Sequence, residues 1–192
     1  TVVAQLPPKS PVDPLELSSD GRYVRIAPDQ WIERRETRIA RKSSPPPQVA
    51  KGEVWVDIDL DEQVIVVYRD LTPVYATMIS TGIRKRRTPT GTFRITKKVA
   101  VQSMYSTPSS TDQYKVADVP WIMSFSKVYA LHGAYWHDRF GGRRSHGCIN
   151  LSPRDARAIY QLVSPAVPAG WMEARATSQE PGSVVRIRSS RR

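Results

Sequence analysis

The sequence predicts a mostly β fold, a sandwich or barrel with one or two short helices, preceded by a small β-rich N-terminal segment. Three observations carry this. Short apolar stretches alternate with polar residues at period two in several places. Turn formers separate them, with 16 prolines and 10 glycines in 192 residues. The clearest helix is "LSPRDARAIYQLV", which combines helical spacing with a start signal.

Residues 1–20 contain Pro, Ser and acidic residues without an apolar period, and are expected to be a mobile arm. Residues 21–42 carry short apolar stretches at Tyr23, Val24 and Ile26, at Trp31 and Ile32, and at Ile39, which predicts a small β-rich module or the remnant of one. Its basic and aromatic residues Arg22, Tyr23, Arg25 and Trp31 fit either a binding surface or a small core, and a core is expected. Three consecutive prolines in 43–52 predict a stiff linker. The main domain then runs over 53–188, with a basic tail at 189–192.

Within that domain "EVWVDIDLDEQVIVVYRD" alternates twice, through Val54, Val56, Ile58 and Leu60, then Val64, Val66 and Tyr68. Asp61, Glu62 and Gln63 mark the hairpin turn. "TPVYATMISTG" reads as a third strand ending at Gly82. A fourth is expected from Thr92 to Lys97, after a Pro-Thr-Gly turn. Residues 101–120 are rich in Ser, Thr and Pro and read as a long loop, a length usually tied to function. "WIMSFSKVYALHGA" returns to strand character. In the helix Ser152 is the expected N-cap, Pro153 the first helical residue and Asp155 the third, while Ala156, Ile159, Tyr160 and Val163 share one face. "GSVVRIR" reads as a closing strand.

The formal charge of +11 favours anionic partners such as nucleic acid, acidic lipid or an acidic wall polymer. Much of it sits in Arg84-Lys85-Arg86-Arg87 and at the C-terminus. Neither run is interleaved with aromatics and no nucleic-acid-binding signature is present, so nucleic acid is not an expected partner. No stretch of eighteen apolar residues occurs, so no membrane-spanning helix is expected.

All three histidines and the single cysteine fall within "ALHGAYWHDRFGGRRSHGCIN". One cysteine forms no internal disulfide and no Cys-rich zinc site. Cys148 lies four residues before the expected N-cap, where the helix N-terminus, Arg143, Arg144 and His146 could stabilise a thiolate. Gly147, Gly141 and Gly142 allow close approach of backbone, and consecutive amides around "HGC" could form an oxyanion hole. A thiol nucleophile needs a base. His146 is two residues away and, on an extended segment, shares a face with Cys148. His132, at the end of "VYAL", could be returned to it by the loop. Spacing does not choose between them. A metal reading through His132, His137, Asp138, His146 and Cys148 competes, although the spacing matches no common zinc motif.

"SHGCIN", with His132-Gly133 upstream, resembles the active-site motif of the L,D-transpeptidases of the YkuD family. The resemblance covers about residues 52 to 188 and includes "VWVDIDLDEQVIVVY", "ISTG", "TPTGTF" and "LHG" in order. It implies an L,D-transpeptidase-type β-sandwich and an enzyme that needs no metal or other cofactor. It further implies that Cys148 is the nucleophile and His132 the general base, with the Gly133 carbonyl orienting the imidazole. Ser145, His146 and Gly147 would shape the loop and, with the Cys148 amide, bind the oxyanion. Substrate contacts are expected from Asn150, Arg144, Tyr114, Trp121, Met123 and Trp136, and a lid from residues 97–128. Implied substrates are peptidoglycan donor and acceptor stem peptides, cleaved between a diamino acid and D-Ala and joined as 3→3 cross-links. Hydrolysis, tethering of a protein lysine and exchange of a free D-amino acid share the same acyl-enzyme; a wall-binding module without turnover is the non-enzyme alternative. A monomer, exported to the periplasm or cell wall, is expected.

Overall fold

A computed structural model describes residues 2, 4–106 and 113–190. The chain divides into two compact units, 1–39 and 40–192. In the first, β1 (Glu16–Leu17), β2 (Tyr23–Ala27) and β3 (Gln30–Glu33) form an antiparallel sheet in that order. Leu15 N–H and Ser18 N–H donate to Arg25 O and Tyr23 O, and Arg25 pairs with Glu16. The segment expected to be an arm thus supplies an edge strand. Tyr23 and Trp31 stay exposed, so they do not form the expected core; among the described residues of this unit only Val24 is buried.

The second unit contains β4 (Val54–Asp59), β5 (Val64–Arg69), β6 (Thr72–Met78), β7 (Gly91–Arg94), β8 (Lys97–Tyr105), β9 (Lys115–Ser124), β10 (Ala130–Gly133), β11 (Ile149–Leu151), α1 (Pro153–Leu162), β12 (Glu173–Arg175) and β13 (Val184–Arg188). One five-stranded sheet has the order β6-β5-β4-β13-β7 and the other β11-β10-β9-β8-β12. Two pairings are parallel, β13 with β4 and β10 with β11. Val56, Ile58, Ile65, Val67, Val185 and Ile187 of the first sheet share a core with Met123, Leu131, Ile149 and Leu151 of the second and with Ala156, Ile159 and Tyr160 of α1. Helix α1 and both sheets therefore enclose one apolar interior, a β-sandwich as expected.

Local chemistry explains the hairpin and the helix. Asp59 Oδ1 accepts the Asp61 and Glu62 amides at 2.9 and 3.1 Å, which closes the β4–β5 turn. Ser152 Oγ accepts the Asp155 amide at 3.1 Å and Pro153 opens the helix. The Asp155 carboxylate does not complete a capping box. It accepts from Tyr75 at 2.7 Å and Thr77 at 2.9 Å, tying α1 to β6. At the other end Lys98 is 2% exposed and donates to Tyr160 O and Val163 O at 2.6 and 2.7 Å. It supplies the last-turn carbonyls with a cation, favourable at a helix C-terminus. Burial pushes its pKa down to about 8.

Two expectations are corrected, and the faces of β5 are resolved. The inward residues of β5 are Ile65 and Val67, because they pair with Ile58 and Val56; Val66 and Tyr68 face the other side with Trp55. That second face is also covered: the Trp55 and Tyr68 rings stack at 4.6 Å, and Val49 packs beside them. The Pro-rich 43–52 stretch is accordingly no free linker. Pro46 is buried, Gln48 O and Ser44 O accept from Arg94 and Arg186, and Ser43 bonds Arg186 as well. Finally, most of the expected 101–120 loop is the β8–β9 hairpin; residues 107–112 lie outside the described residues, as do 191–192 of the tail.

Candidate active site

Cys148 ends a loop and is followed by the three-residue strand β11. The strand separates Cys148 from the Ser152 N-cap by four residues, about 13 Å at ~3.3 Å per residue, so the helix does not stabilise a thiolate as expected. Its place is set by the parallel register Leu131↔Ile149 and His132↔Asn150. Cys148 falls beside the start of β10. Its Sγ lies 3.8 Å from Val128 O, and Ala130 makes a backbone hydrogen bond to it. Leu131, Ile149 and Leu151 face the shared core, so His132 and Asn150 face the opposite side of the sheet.

His132 is 4% exposed. Its Nδ1 lies 3.0 Å from Gly133 O, which can only accept, so Nδ1 carries the hydrogen and Nε2 keeps its lone pair. Burial pulls its pKa down to about 4, against a smaller opposing effect of that carbonyl, so the ring is neutral at pH 7. Burial likewise pushes the Cys148 thiol up, partly offset by the bond from Ala130. The resting pair is therefore neutral thiol and neutral imidazole.

The nucleophile loop is held from several sides. Ser145 Oγ accepts from the Gly147 amide at 3.0 Å and donates to Cys148 O. The Gly147 amide is thus occupied, and Gly147 contributes conformation: φ is +119°, and a Cβ would lie 2.5 Å from the Tyr129 ring. Gly147 O accepts from Thr88 Oγ1 at 2.8 Å, and Thr88 Oγ1 in turn accepts the Gly82 amide at 2.9 Å. The segment after β6 zips along the site. Ser80 and Asn150 exchange two backbone bonds, and Thr81 O accepts from Arg144 N and Ser145 N. Gln63 fixes Thr81 in turn, donating to its Oγ1 and accepting its amide. The roles of Gln63, Thr81 and Thr88 were not read from the sequence. The signal was that "ISTG" and "TPTGTF" lie in the resemblance.

The remaining expected residues divide. The Tyr114 ring lies 4.9 Å from His146, two residues before the nucleophile; burial raises its phenol pKa, with a smaller contribution from nearby Cys148. His146 is exposed against that ring. Trp136 stacks on His132 at 5.8 Å and is 42% exposed. Asn150 is buried, with its amide nitrogen 3.1 Å from His137 Nε2. Arg144 is exposed beside Ser145, whereas Arg143 turns to Leu60 O, 3.0 Å away, and to Asp61. Two expectations fail. Met123 pairs with Leu131 and is fully buried in the core, and Trp121 packs edge-on against Tyr160 at 5.2 Å. Both face the interior, away from His132. Among the described residues no group of three or more His, Cys, Asp or Glu side chains is placed to hold a metal ion.

Comparison with known proteins agrees with this architecture. YciB of Bacillus subtilis (strain 168), named as a candidate L,D-transpeptidase, is 25% identical over 130 residues, 61% of this chain and 64% of YciB. An L,D-transpeptidase from Mycobacterium smegmatis superposes with a TM-score of 0.58 at 26% identity, over 71% of this chain and 59% of that one. The catalytic domain of the E. faecium L,D-transpeptidase shares the fold, with a TM-score of 0.57 at 22% identity, over 71% of this chain and 98% of that domain. The chain thus spans about three-fifths of the first two relatives. The family model for the L,D-transpeptidase catalytic domain matches residues 53–187, and the chain belongs to that family, YkuD.

Proposed function

We propose that this protein is a cysteine-dependent L,D-transpeptidase acting on peptidoglycan stem tetrapeptides and forming 3→3 cross-links. The observation that supports it most is the pairing of β10 with β11, which brings Cys148 beside the strand that carries a buried, neutral His132 with a free Nε2. Cys148 Sγ attacks the carbonyl of the L-centre of the third stem residue, and its proton passes to His132 Nε2. The tetrahedral oxyanion is met by the Cys148 amide, since the Gly147 amide is occupied by Ser145. The intermediate collapses with cleavage of the C–N bond, and the D-Ala amine leaves with the proton from His132. A side-chain amine of a second stem attacks the thioester, returns its proton through His132 and regenerates the thiol. Water as acceptor would make the enzyme an L,D-carboxypeptidase, and a protein lysine would make it a tethering enzyme.

Because both partners rest neutral, proton transfer accompanies attack, with no preformed thiolate. Tyr114 and Trp136 form the walls beside the thiol and the base, and no cofactor takes part. The place of action is the cell wall or periplasm; no helix of the described residues is long and apolar enough to cross a membrane.

The test is intact-protein mass spectrometry after incubation with a disaccharide tetrapeptide carrying meso-diaminopimelate, with a carbapenem in parallel. An adduct on Cys148 with D-Ala released supports the reading, and the product mixture identifies the acceptor. No adduct with either reagent from folded, reduced protein overturns it and favours a wall-binding module.

A further inference from the structure

Four consecutive cations, Arg84, Lys85, Arg86 and Arg87, occupy the connection between β6 and β7, and acyl transfer uses none of them. Both ends of this turn are bonded to the nucleophile loop. On one side Gly82 pairs with Ser145, and Ile83 N–H donates to Ser145 O at 3.0 Å. On the other, Thr88 Oγ1 donates to Gly147 O at 2.8 Å. The turn closes on itself through the Arg86 amide, which donates to Ile83 O at 2.9 Å. Gly82 is packed so tightly that a Cβ would lie 2.0 Å from Arg86 O. The turn that carries the cations is therefore held at a fixed place against the nucleophile loop.

Arg84, Lys85 and Arg87 are exposed, as is Arg144 beside Ser145, and no carboxylate of the described residues pairs with these four. Arg86 is half-buried and acts on the same Tyr114 phenol as Cys148 does. Like charges gathered this closely repel one another, a cost that an anionic occupant relieves. Guanidinium and ammonium groups only donate hydrogen bonds, so they match a carboxylate and not the nitrogen of an amide.

We infer that the 84–87 turn, with Arg144, is a carboxylate-recognition rim that selects stem peptides with free side carboxylates over amidated ones. This rests on the reading of Cys148 as an acyl-transfer nucleophile on stem peptides. Such a stem carries carboxylates on its D-glutamate and on the D-centre of its diamino acid, flanking the carbonyl under attack. Amidation keeps the shape, removes the charge and replaces an acceptor with a donor. A general dock for polyanions would have no need of anchorage to Ser145 and Gly147.

The test measures binding of two tetrapeptides, free acid and amidated, to full-length Cys148→Ser protein by NMR titration at low salt, and acylation of the unsubstituted protein by both. The free acid is expected to bind three- to tenfold more tightly, the range of exposed to partly desolvated ion pairs. In R84Q/K85Q/R87Q on the same background, the preference should fall below twofold; the substituted side chains are exposed, and circular dichroism checks the fold. Equal affinity for both peptides, or a preference that survives the triple substitution, overturns the rim. Loss of binding to whole sacculi without loss of discrimination also overturns it, in favour of a polyanion dock. Discrimination in binding without acylation sinks the acyl-transfer reading alone, and acylation without discrimination sinks the rim alone.

Discussion

Replacing Thr88 by Val should damage the site from a distance. Thr88 is 3% exposed, and its hydroxyl accepts from Gly82 N–H and donates to Gly147 O, both buried bonds. Valine matches the shape and leaves one buried amide and one buried carbonyl without partners. Each orphaned group costs about 1–3 kcal/mol, so the expected loss is about 3 kcal/mol after partial relaxation. At a urea slope of about 2 kcal/mol per molar, the unfolding midpoint falls by about 1.5 M. Acylation of Cys148 should slow as well, because Gly147 O is one of the tethers that set the φ of Gly147 and the aim of the next residue. The assay pairs urea unfolding with the rate of adduct formation by mass spectrometry. Thr88→Ser, which keeps the hydroxyl, should recover most of both. A T88V midpoint within 0.3 M of the wild type, about 0.6 kcal/mol at that slope, would refute the reasoning that this hydroxyl braces the loop.

Three further outcomes are expected. The His132 pKa is lowered from 6.5 to about 4, so its stabilising effect is complete above pH 6.5 and is lost as pH falls through 4; His132→Gln should lack this acid-side loss of about 3 kcal/mol in pH-dependent unfolding, and wild-type activity should keep its base down to near pH 4. Gly147→Ala meets the Tyr129 ring and an unfavourable φ, and should lose about 2 kcal/mol of stability and slow iodoacetamide labelling of Cys148; an unchanged melting temperature would count against the close packing. Lys98→Met leaves Tyr160 O and Val163 O without their donor and should destabilise by about 2 kcal/mol, read as a lower thermal midpoint with Cys148 labelling of the folded protein unchanged.

Features with local causes were legible in the amino-acid order. The β4–β5 hairpin follows from its alternation and turn, and the start of α1 from Ser152 and Pro153, because the stabilising contacts span only a few residues. The family was legible from motifs spread over 53–187. Strand β11 was not, since three residues carry no period. The β8–β9 hairpin was hidden by its Ser, Thr and Pro content, and its pairing is irregular between Gln102 and Met104. The inward face of β5 was not legible because "VIVVY" is apolar on both sides, and the sandwich buries both. Trp121 and Met123 were expected in the cleft from the family resemblance, whereas the register with Leu131 turns Met123 into the core.

The residue order thus contained the strand periods, the helix cap and the clustering of one thiol with three imidazoles, all of which depend on neighbours along the chain. Which histidine stands on the strand beside Cys148 depended on a parallel pairing between segments sixteen residues apart. So did the neutral state of both groups, because burial that shifts a pKa is made by side chains from distant strands and does not exist until the two sheets close.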